Sequence, residues 1–170
     1  MSPTPRTWTS PALPVGPRVP VWAPAAQTVE LHLPDQDRLV GMIPVPGGWW
    51  TAPLDLEPGT DYAFRVDGSP NRPDPRSALQ PDGVHGPSRT VDPDTWRWTD
   101  QNWAGRDLRG SVIYELHVGT FTPEGTLDAA ITRLGHLADL GVDIVELMPV
   151  AGFPGRAGWG YDGVDLWAVH

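Results

Sequence analysis

The sequence predicts a multidomain fold in which an all-β sandwich is followed by one βαβ unit. Its 170 residues include 19 Gly and 21 Pro, a composition that favours turns and short strands over long helices. Apolar and polar residues alternate in the first half, whereas an apolar strand, an amphipathic helix and a second apolar strand follow Ser111. We divide the chain into a Pro-rich N-terminal tail (1–17), a β-sandwich domain (18–92), a Trp-containing interdomain connection (93–110) and an α/β segment (111–170).

Two stretches of the sandwich domain show a period of two, which is typical of strands with one buried face. The alternating apolar residues are Val29, Leu31 and Leu33 in the first stretch and Tyr62, Phe64 and Val66 in the second. The second stretch begins after Pro58-Gly59 and ends at Asp67-Gly68, both of which are strong turn signals. Such short strands between turns predict a β-sandwich.

Nine Trp residues in so short a chain favour sugar binding, because flat rings stack on the apolar faces of pyranoses. Tryptophan is also a common core residue. For those within the predicted sandwich, core packing is the favoured interpretation; these are Trp22, Trp49 and Trp50. Those near the connection are expected to clamp an irregular segment between two domains; these are Trp96, Trp98 and Trp103.

The α/β segment begins with residues 112–116, an apolar run that predicts a strand covered on both faces. A helix should follow, with Thr126 capping its start and Gly141 at its end. Its apolar stripe consists of Leu127, Ala130, Ile131, Leu134, Leu137 and Ala138. Residues 142–148 return to strand character, which completes a right-handed βαβ unit. Because such a unit leaves its faces and edges uncovered, we expect either a truncated chain or strands that pair with something outside it.

Charge and composition exclude several classes of protein. The net charge of −9, with scattered arginines as the basic residues, argues against a nucleic-acid partner. The absence of Cys removes disulfides and thiolate chemistry. The first twenty residues contain six Pro and no apolar run suited to a secretory signal, and no stretch approaches the roughly 18 apolar residues of a membrane span. We expect a cytoplasmic protein with no membrane partner, no cofactor and no metal.

Residues that carry chemistry in an α/β barrel lie at the carboxyl ends of strands and in the loops that follow, here residues 117–121 and 149–165. Glu115 and Glu146 fall within the two strands and resemble the carboxylate pair of a retaining glycosidase. The favoured interpretation is that both are buried or barrel-end carboxylates held by hydrogen bonds. We therefore assign no catalytic residue.

Histidines give a weaker signal. His85, His117 and His136 have no spacing that fits a zinc pair. His136 falls on the polar side of the helix, where we expect it to be solvated. His117 follows the first strand directly, and site and structural roles stay equally open for it.

Trp159 lies within a glycine-rich aromatic stretch, residues 158–163, where backbone freedom and exposed rings are both expected. Trp159 and His117 are the substrate-binding candidates that the residues themselves indicate.

Several motifs together resemble the malto-oligosyltrehalose trehalohydrolases of the α-amylase superfamily, from about Arg18 onwards. Residues 21–26 and 29–31 resemble the opening of the sandwich that precedes the barrel in glycogen-branching and related enzymes. The narrower matches are residues 48–50, 73–77, 80–88, 114–126, 146–150 and 159–164. Leu127 and Trp167 depart from the family, which more often has Phe and Tyr there. The resemblance implies an immunoglobulin-like, carbohydrate-binding-module-like sandwich followed by the first βαβ unit of an α/β (β/α)8 TIM barrel.

The resemblance also implies a function. Family members are retaining hydrolases that cleave the α-1,4 bond next to the trehalose end of maltooligosyl trehalose, in trehalose biosynthesis. Their Asp nucleophile, Glu acid/base and second Asp come from later barrel strands and match no position here, so we expect this chain alone to be inactive. The resemblance implies that Tyr161 stacks on the glucose at the cleavage subsite and that Asp162 supports it, with a purely structural role for Asp162 equally open. Tyr161, Trp159, Asp162 and His117 form the predicted substrate-binding set. Partners are then malto-oligosaccharide or maltooligosyl trehalose, with metabolic coupling to maltooligosyl trehalose synthase expected from the family.

Two alternatives remain at the sequence level. A glycogen branching or debranching enzyme would have the same architecture with different loops. A non-catalytic α-glucan-binding module would use the tryptophans and need no acid pair.

Overall fold

The computed structural model describes residues 18–170, and this part of the chain divides into two compact units. The first unit ends at Asp74 and takes in Pro87–Thr90, whereas the second consists of Pro75–Gly86 and Val91–His170. The predicted N-terminal tail, residues 1–17, lies outside the described residues. Pro75–Gly86 groups with the second unit, although the sequence analysis places it in the sandwich domain.

The first unit contains two antiparallel sheets. Its strands in chain order are β1 (Val21–Trp22), β2 (Val29–Leu33), β3 (Arg38–Gly41), β4 (Ile43–Val45), β5 (Trp49–Thr51), β6 (Asp61–Val66) and β7 (Ser88–Arg89). One sheet has the order β1-β5-β4 and the other β3-β2-β6-β7. The predicted all-β character of this part of the chain is confirmed.

The core of the first unit collects residues from both sheets, as the alternation predicts. Val29, Leu31 and Leu33 of β2 are buried, and the polar residues between them are only partly covered. Tyr62 and Phe64 of β6 are buried in the same cluster, and their rings meet edge to face with centroids 5.8 Å apart. The period of two therefore identifies the inner face of both strands correctly.

The tryptophans in the described part of this unit do not share one environment. Trp50 packs against the core, and its indole Nε1 donates to the carbonyl oxygen of Ala23 at 3.1 Å. Trp22 is 59% exposed, and its Nε1 donates to Gly47 O at 3.0 Å. The core interpretation is therefore wrong for Trp22, because its partner on the neighbouring strand is Trp49 and the polar turn at Gly47 receives its N–H.

Two polar contacts tie β6 to the chain that follows it. The Tyr62 hydroxyl donates to a carboxylate oxygen of buried Asp74 at 2.9 Å. Arg89 on β7 forms a two-point contact with Asp61, with N–O distances of 2.5 and 2.8 Å. The hydrogen bond from Arg89 lowers the pKa of Asp61, and the positive charge of Arg89 acts in the same direction against desolvation.

The second unit begins with irregular chain and then contains two separate strand pairs. Its elements are β8 (Ile113–Leu116), α1 (Val118–Phe121), α2 (Leu127–Ile131), α3 (Leu134–Asp139), β9 (Ile144–Leu147), β10 (Ala151–Gly152) and β11 (Asp165–Val169). β8 pairs with β9 in parallel, and β10 pairs with β11 antiparallel. None of the helices in residues 18–170 has the length and apolar character that crossing a bilayer needs.

The single helix predicted between the two parallel strands is broken. Thr126 caps α2 as predicted, because its hydroxyl accepts from Ala129 N at 3.2 Å. The hydroxyl of Thr132 donates back to Ala129 O at 2.7 Å, and the Arg133 amide bonds three residues back to Ala130 O. This local 3-10 pattern ends α2 and separates it from α3. Gly141 then adopts a φ of 82°, in agreement with its predicted terminal role.

The strand predicted to be covered on both faces is exposed in the described chain. Val112, Ile113 and Tyr114 are 54%, 49% and 38% exposed. Much of the helical stripe is exposed too, including Ile131 and Leu134, whereas Leu137 is buried. The apolar pattern predicts buried side chains at these positions, but residues 18–170 do not cover them.

The connecting tryptophans are not clamped by packing. Trp96, Trp98 and Trp103 are all about two-thirds exposed or more, at 67%, 69% and 72%. Trp96 and Trp98 meet each other edge to face with ring centroids 6.2 Å apart. The prediction that these rings clamp the segment is therefore wrong for the described chain.

Candidate functional site

A cavity of about 690 Å³ lies within the second unit, beside the carboxyl end of β8. Its walls come from the turn after β8, the start of α2, and the chain between β9 and the end of β11. The lining side chains include His117, Thr120, Leu127, Phe153, Arg156 and Trp159. The cavity therefore joins the two loop regions that the sequence analysis singles out.

His117 occupies the N-cap position of α1, directly after β8. Its Nε2 lies 2.7 Å from the carbonyl oxygen of Gly158. Because a carbonyl oxygen can only accept, Nε2 carries the proton and donates. The Nδ1 atom lies 3.4 Å from the hydroxyl oxygen of Thr120. Both ring nitrogens are thus directed at protein atoms.

The glycines on either side of Trp159 are tightly packed. A Cβ at Gly158 would lie 2.9 Å from a ring carbon of Phe153. Gly160 has a φ of 85°, and a Cβ there would lie 2.1 Å from the carbonyl oxygen of Pro149. Neither position has space for a larger residue, and Gly160 also has a backbone conformation that favours glycine. The glycine-rich pattern therefore reflects close packing as well as conformational freedom.

The indole of Trp159 is 73% exposed at the rim of the cavity. Its ring meets the imidazole of His117 edge to face, with centroids 6.3 Å apart and an interplanar angle of 69°. Two members of the predicted set, His117 and Trp159, are therefore brought together from positions far apart in the sequence. An exposed ring with a fixed backbone is suited to stacking on a flat apolar ligand face.

The other two members lie close by but do not line this cavity. Tyr161 is 72% exposed, and Asp162 is also exposed. Both directly follow Gly160 in the same loop. They therefore follow a cavity-lining glycine in the sequence, and their side chains are exposed to solvent.

Phe153, Arg156 and His170 also line the cavity, although no sequence prediction names them. The rings of Phe153 and His170 are stacked, with centroids 3.8 Å apart and an interplanar angle of 13°. Phe153 and Arg156 lie within the flagged loop, residues 149–165, so the strand-end rule could have identified them. His170 follows β11 and carried no local signal.

The remaining polar candidates lie elsewhere. Glu115 and Glu146 are directly opposite in the parallel pair, but both are exposed, so the interpretation as buried carboxylates is wrong. His85 and His136 are exposed and do not line the cavity, and the predicted solvation of His136 is confirmed. In the part of the chain from 18 to 170, no group of three or more acidic or His side chains is placed to hold a metal ion.

A comparison with protein families matches residues 9–81 to Carbohydrate-binding module 48, the isoamylase N-terminal domain. This match covers most of the first unit and agrees with its two antiparallel sheets.

Curated relatives match both units together. The malto-oligosyltrehalose trehalohydrolase of Rhizobium sp. (strain M-11) is 52% identical over 160 residues, and that of Arthrobacter ramosus is 54% identical over 156 residues. Over these residues the chain is similar to the malto-oligosyltrehalose trehalohydrolases. Each match covers 90% of this chain and 27% of the relative, so the chain spans about a quarter of the length of these trehalohydrolases.

A solved structure supports the same relationship. The crystal structure of a Salmonella typhimurium protein assigned to the alpha amylases is 45% identical to this chain, with a TM-score of 0.82. The match covers 89% of this chain and 26% of that one. The resemblance to malto-oligosyltrehalose trehalohydrolases that the motifs predict is therefore confirmed.

Among residues 18–170, this relative of the malto-oligosyltrehalose trehalohydrolases provides aromatic rings and hydrogen-bond donors at the cavity, and the lining contains no Asp or Glu. Such a surface can bind a neutral sugar through stacking and hydrogen bonds. Glycoside hydrolysis needs a pair of carboxylic groups flanking the bond. The described cavity therefore has the features of a binding site rather than of a complete catalytic centre.

Proposed function

We propose that this chain forms part of a glycoside hydrolase that cleaves the α-1,4-glucosidic bond adjacent to the trehalose end of maltooligosyl trehalose and releases trehalose. The observation that carries the proposal is the 52–54% identity to malto-oligosyltrehalose trehalohydrolases over 90% of the chain. In this proposal the protein acts in trehalose biosynthesis in the cytoplasm, downstream of a maltooligosyl trehalose synthase.

The second unit, from about Ser111, is the start of the catalytic (β/α)8 barrel. The parallel register of β8 and β9, with helices between them, supports this assignment. So do the exposed apolar residues of β8 and α2, since neighbouring barrel elements would cover them. The predicted domain ranges, 18–92 for the sandwich, 93–110 for the connection and 111–170 for the barrel start, belong to the same proposal.

The contribution of these residues is to bind and orient the sugar. Trp159 and Tyr161 present exposed rings to glucose units, with Tyr161 at the cleavage subsite. Asp162 supplies a polar group beside them, and His117 borders the same cavity. The mechanism is retention through an Asp nucleophile and a Glu acid/base from later strands, to which no residue of this chain corresponds.

Product analysis tests this proposal. The longest reading frame that contains this sequence should release free trehalose from maltooligosyl trehalose, and Trp159→Ala should raise KM. Trp103→Ala is the matched control, because Trp103 is exposed to the same degree and does not line the cavity. Altered branching of a glucan without trehalose release would show a branching or debranching enzyme instead.

A second candidate, a non-catalytic α-glucan-binding module, is favoured by the Carbohydrate-binding module 48 match. Trp22 is the suitable ring in the first unit, since its Nε1–H is bonded to Gly47 O while the side chain is 59% exposed. Titration calorimetry of the 170-residue chain with maltoheptaose tests it. Binding that Trp22→Ala abolishes and Trp159→Ala retains would locate the sugar on the sandwich, and no heat at millimolar sugar would reject this candidate.

A further inference from the structure

We infer that His117 is a positioning residue, which holds the loop of residues 158–160 so that the Trp159 ring is ready to stack on sugar. This inference rests on the proposed function, because it concerns how the same cavity binds an α-glucan. It assigns His117 a role that acts through Trp159 rather than through direct contact with substrate.

Both ring nitrogens of His117 are directed at protein groups. Nε2–H donates to Gly158 O at 2.7 Å, and Nδ1 faces the hydroxyl of Thr120 at 3.4 Å. A side chain whose two polar atoms are already directed at protein groups has little capacity left for sugar hydroxyls. The bond to Gly158 O instead fixes the peptide that directly precedes Trp159.

The packing around the loop carries the second step. Gly158 lies against Phe153, Gly160 lies against the carbonyl of Pro149, and the rings of His117 and Trp159 meet edge to face. Backbone freedom is thus restricted on both sides of the indole, and mainly the side-chain rotations of Trp159 remain. A preorganised ring loses less conformational entropy when it binds, which increases affinity.

His117→Ala removes the donor and should raise KM for maltooligosyl trehalose about tenfold with little change in kcat, since stacking contributes to ground-state and transition-state binding alike. His117→Gln should recover most of the loss, because its side-chain amide can still donate to Gly158 O. The melting temperature of each variant shows whether it folds. If His117→Ala does not fold, the KM values of His117→Gln and Thr120→Val are compared with that of the wild type instead.

A double-mutant cycle in the full-length gene product decides the inference. If His117 acts through Trp159, His117→Ala should add less than a twofold change to the KM of Trp159→Ala. Independent effects that multiply would show direct contact between His117 and sugar and overturn the inference. An unchanged KM in Trp159→Ala would overturn it as well, because no stacking ring would then need positioning.

A measurement that does not depend on enzymatic activity distinguishes the positioning role of His117 from the proposed function. With 5-fluorotryptophan incorporated, the ¹⁹F resonance of Trp159, identified by its loss in Trp159→Phe, should shift or broaden in His117→Ala and return in His117→Gln. If the wild type released no trehalose but this resonance behaved as expected, the proposed function would fail and the positioning role would stand. A resonance unaffected by His117→Ala would overturn the positioning role.

Discussion

The Nε2 atom of His117 donates to the carbonyl oxygen of Gly158 across 41 positions of sequence. His117 directly follows the first parallel strand, and Gly158 begins the exposed aromatic loop that follows the second. The bond therefore ties the two strand-end regions that border one cavity. In a fold where binding residues collect at strand ends, such a contact aligns the two segments that follow the strands.

Gly160→Ala should weaken the aromatic loop strongly. The residue has a φ of 85°, and an added Cβ would lie 2.1 Å from Pro149 O, so the backbone has to shift. We expect a loss of about 2 kcal/mol in local stability and reduced sugar affinity. Hydrogen exchange of residues 158–163 and titration with malto-oligosaccharide measure both effects. Gly135→Ala is the control, since a Cβ there meets nothing within 4 Å and helix α3 should gain up to about 1 kcal/mol.

Asp61→Asn should reduce the free energy of unfolding at neutral pH by about 0.5–1 kcal/mol, because the two-point contact with partly exposed Arg89 is lost. The pKa of Asp61 is lower in the folded chain than in the unfolded one. The stabilisation is thus fully present above the unfolded pKa, about 4, and is lost as the pH falls through the folded pKa. Denaturant titrations of both proteins from pH 7 to 2.5 should show the difference shrinking in acid.

Asp55→Asn is the comparison for that experiment. Asp55 pairs with Arg18 at 2.9 Å, but both side chains are about 60% exposed, at 59% and 60% respectively. Solvent screens such a pair, so we expect no measurable change. A pH-independent difference for Asp61→Asn would contradict the linkage.

Tyr62→Phe should destabilise the first unit by about 1–2 kcal/mol. The substitution keeps the ring in the core but removes the hydroxyl that donates to the buried carboxylate of Asp74. Thermal unfolding measures the loss. Tyr114→Phe is the control, because Tyr114 is 38% exposed and lies in the second unit. Equal effects of the two substitutions would argue against a special role for the contact with Asp74.

Ile131→Lys should make the 170-residue chain less prone to self-association. Ile131 on α2 is 63% exposed and belongs to the apolar stripe that residues 18–170 leave uncovered. Exposed apolar surface of this kind promotes association, and a charged residue opposes it. Sedimentation velocity at several concentrations measures the change. A wild-type chain that is already monodisperse and melts cooperatively would contradict the expectation.

The local patterns were reliable where a strand or turn depends on near neighbours. Val29, Leu31 and Leu33 point into the core as their alternation predicts, and Thr126 caps its helix through its own hydroxyl. The helix between the parallel strands was predicted too long, because the hydroxyl of Thr132 bonds to the preceding turn. Residue type favours the core for Trp22, but it does not show which face of the two-residue strand β1 is covered, and Trp22 is exposed.

The amino-acid pattern alone predicts the all-β character of the first unit, the two parallel strands of the second with helical chain between them, and the resemblance to malto-oligosyltrehalose trehalohydrolases, because each depends on residue types at fixed short spacings. The tertiary structure is needed to see which distant residues lie together, such as His117 with Trp159 and Phe153 with Gly158. It is also needed to see that the connecting tryptophans are exposed. The physical reason is that burial and long-range hydrogen bonds depend on the packing of whole elements, which no local spacing specifies.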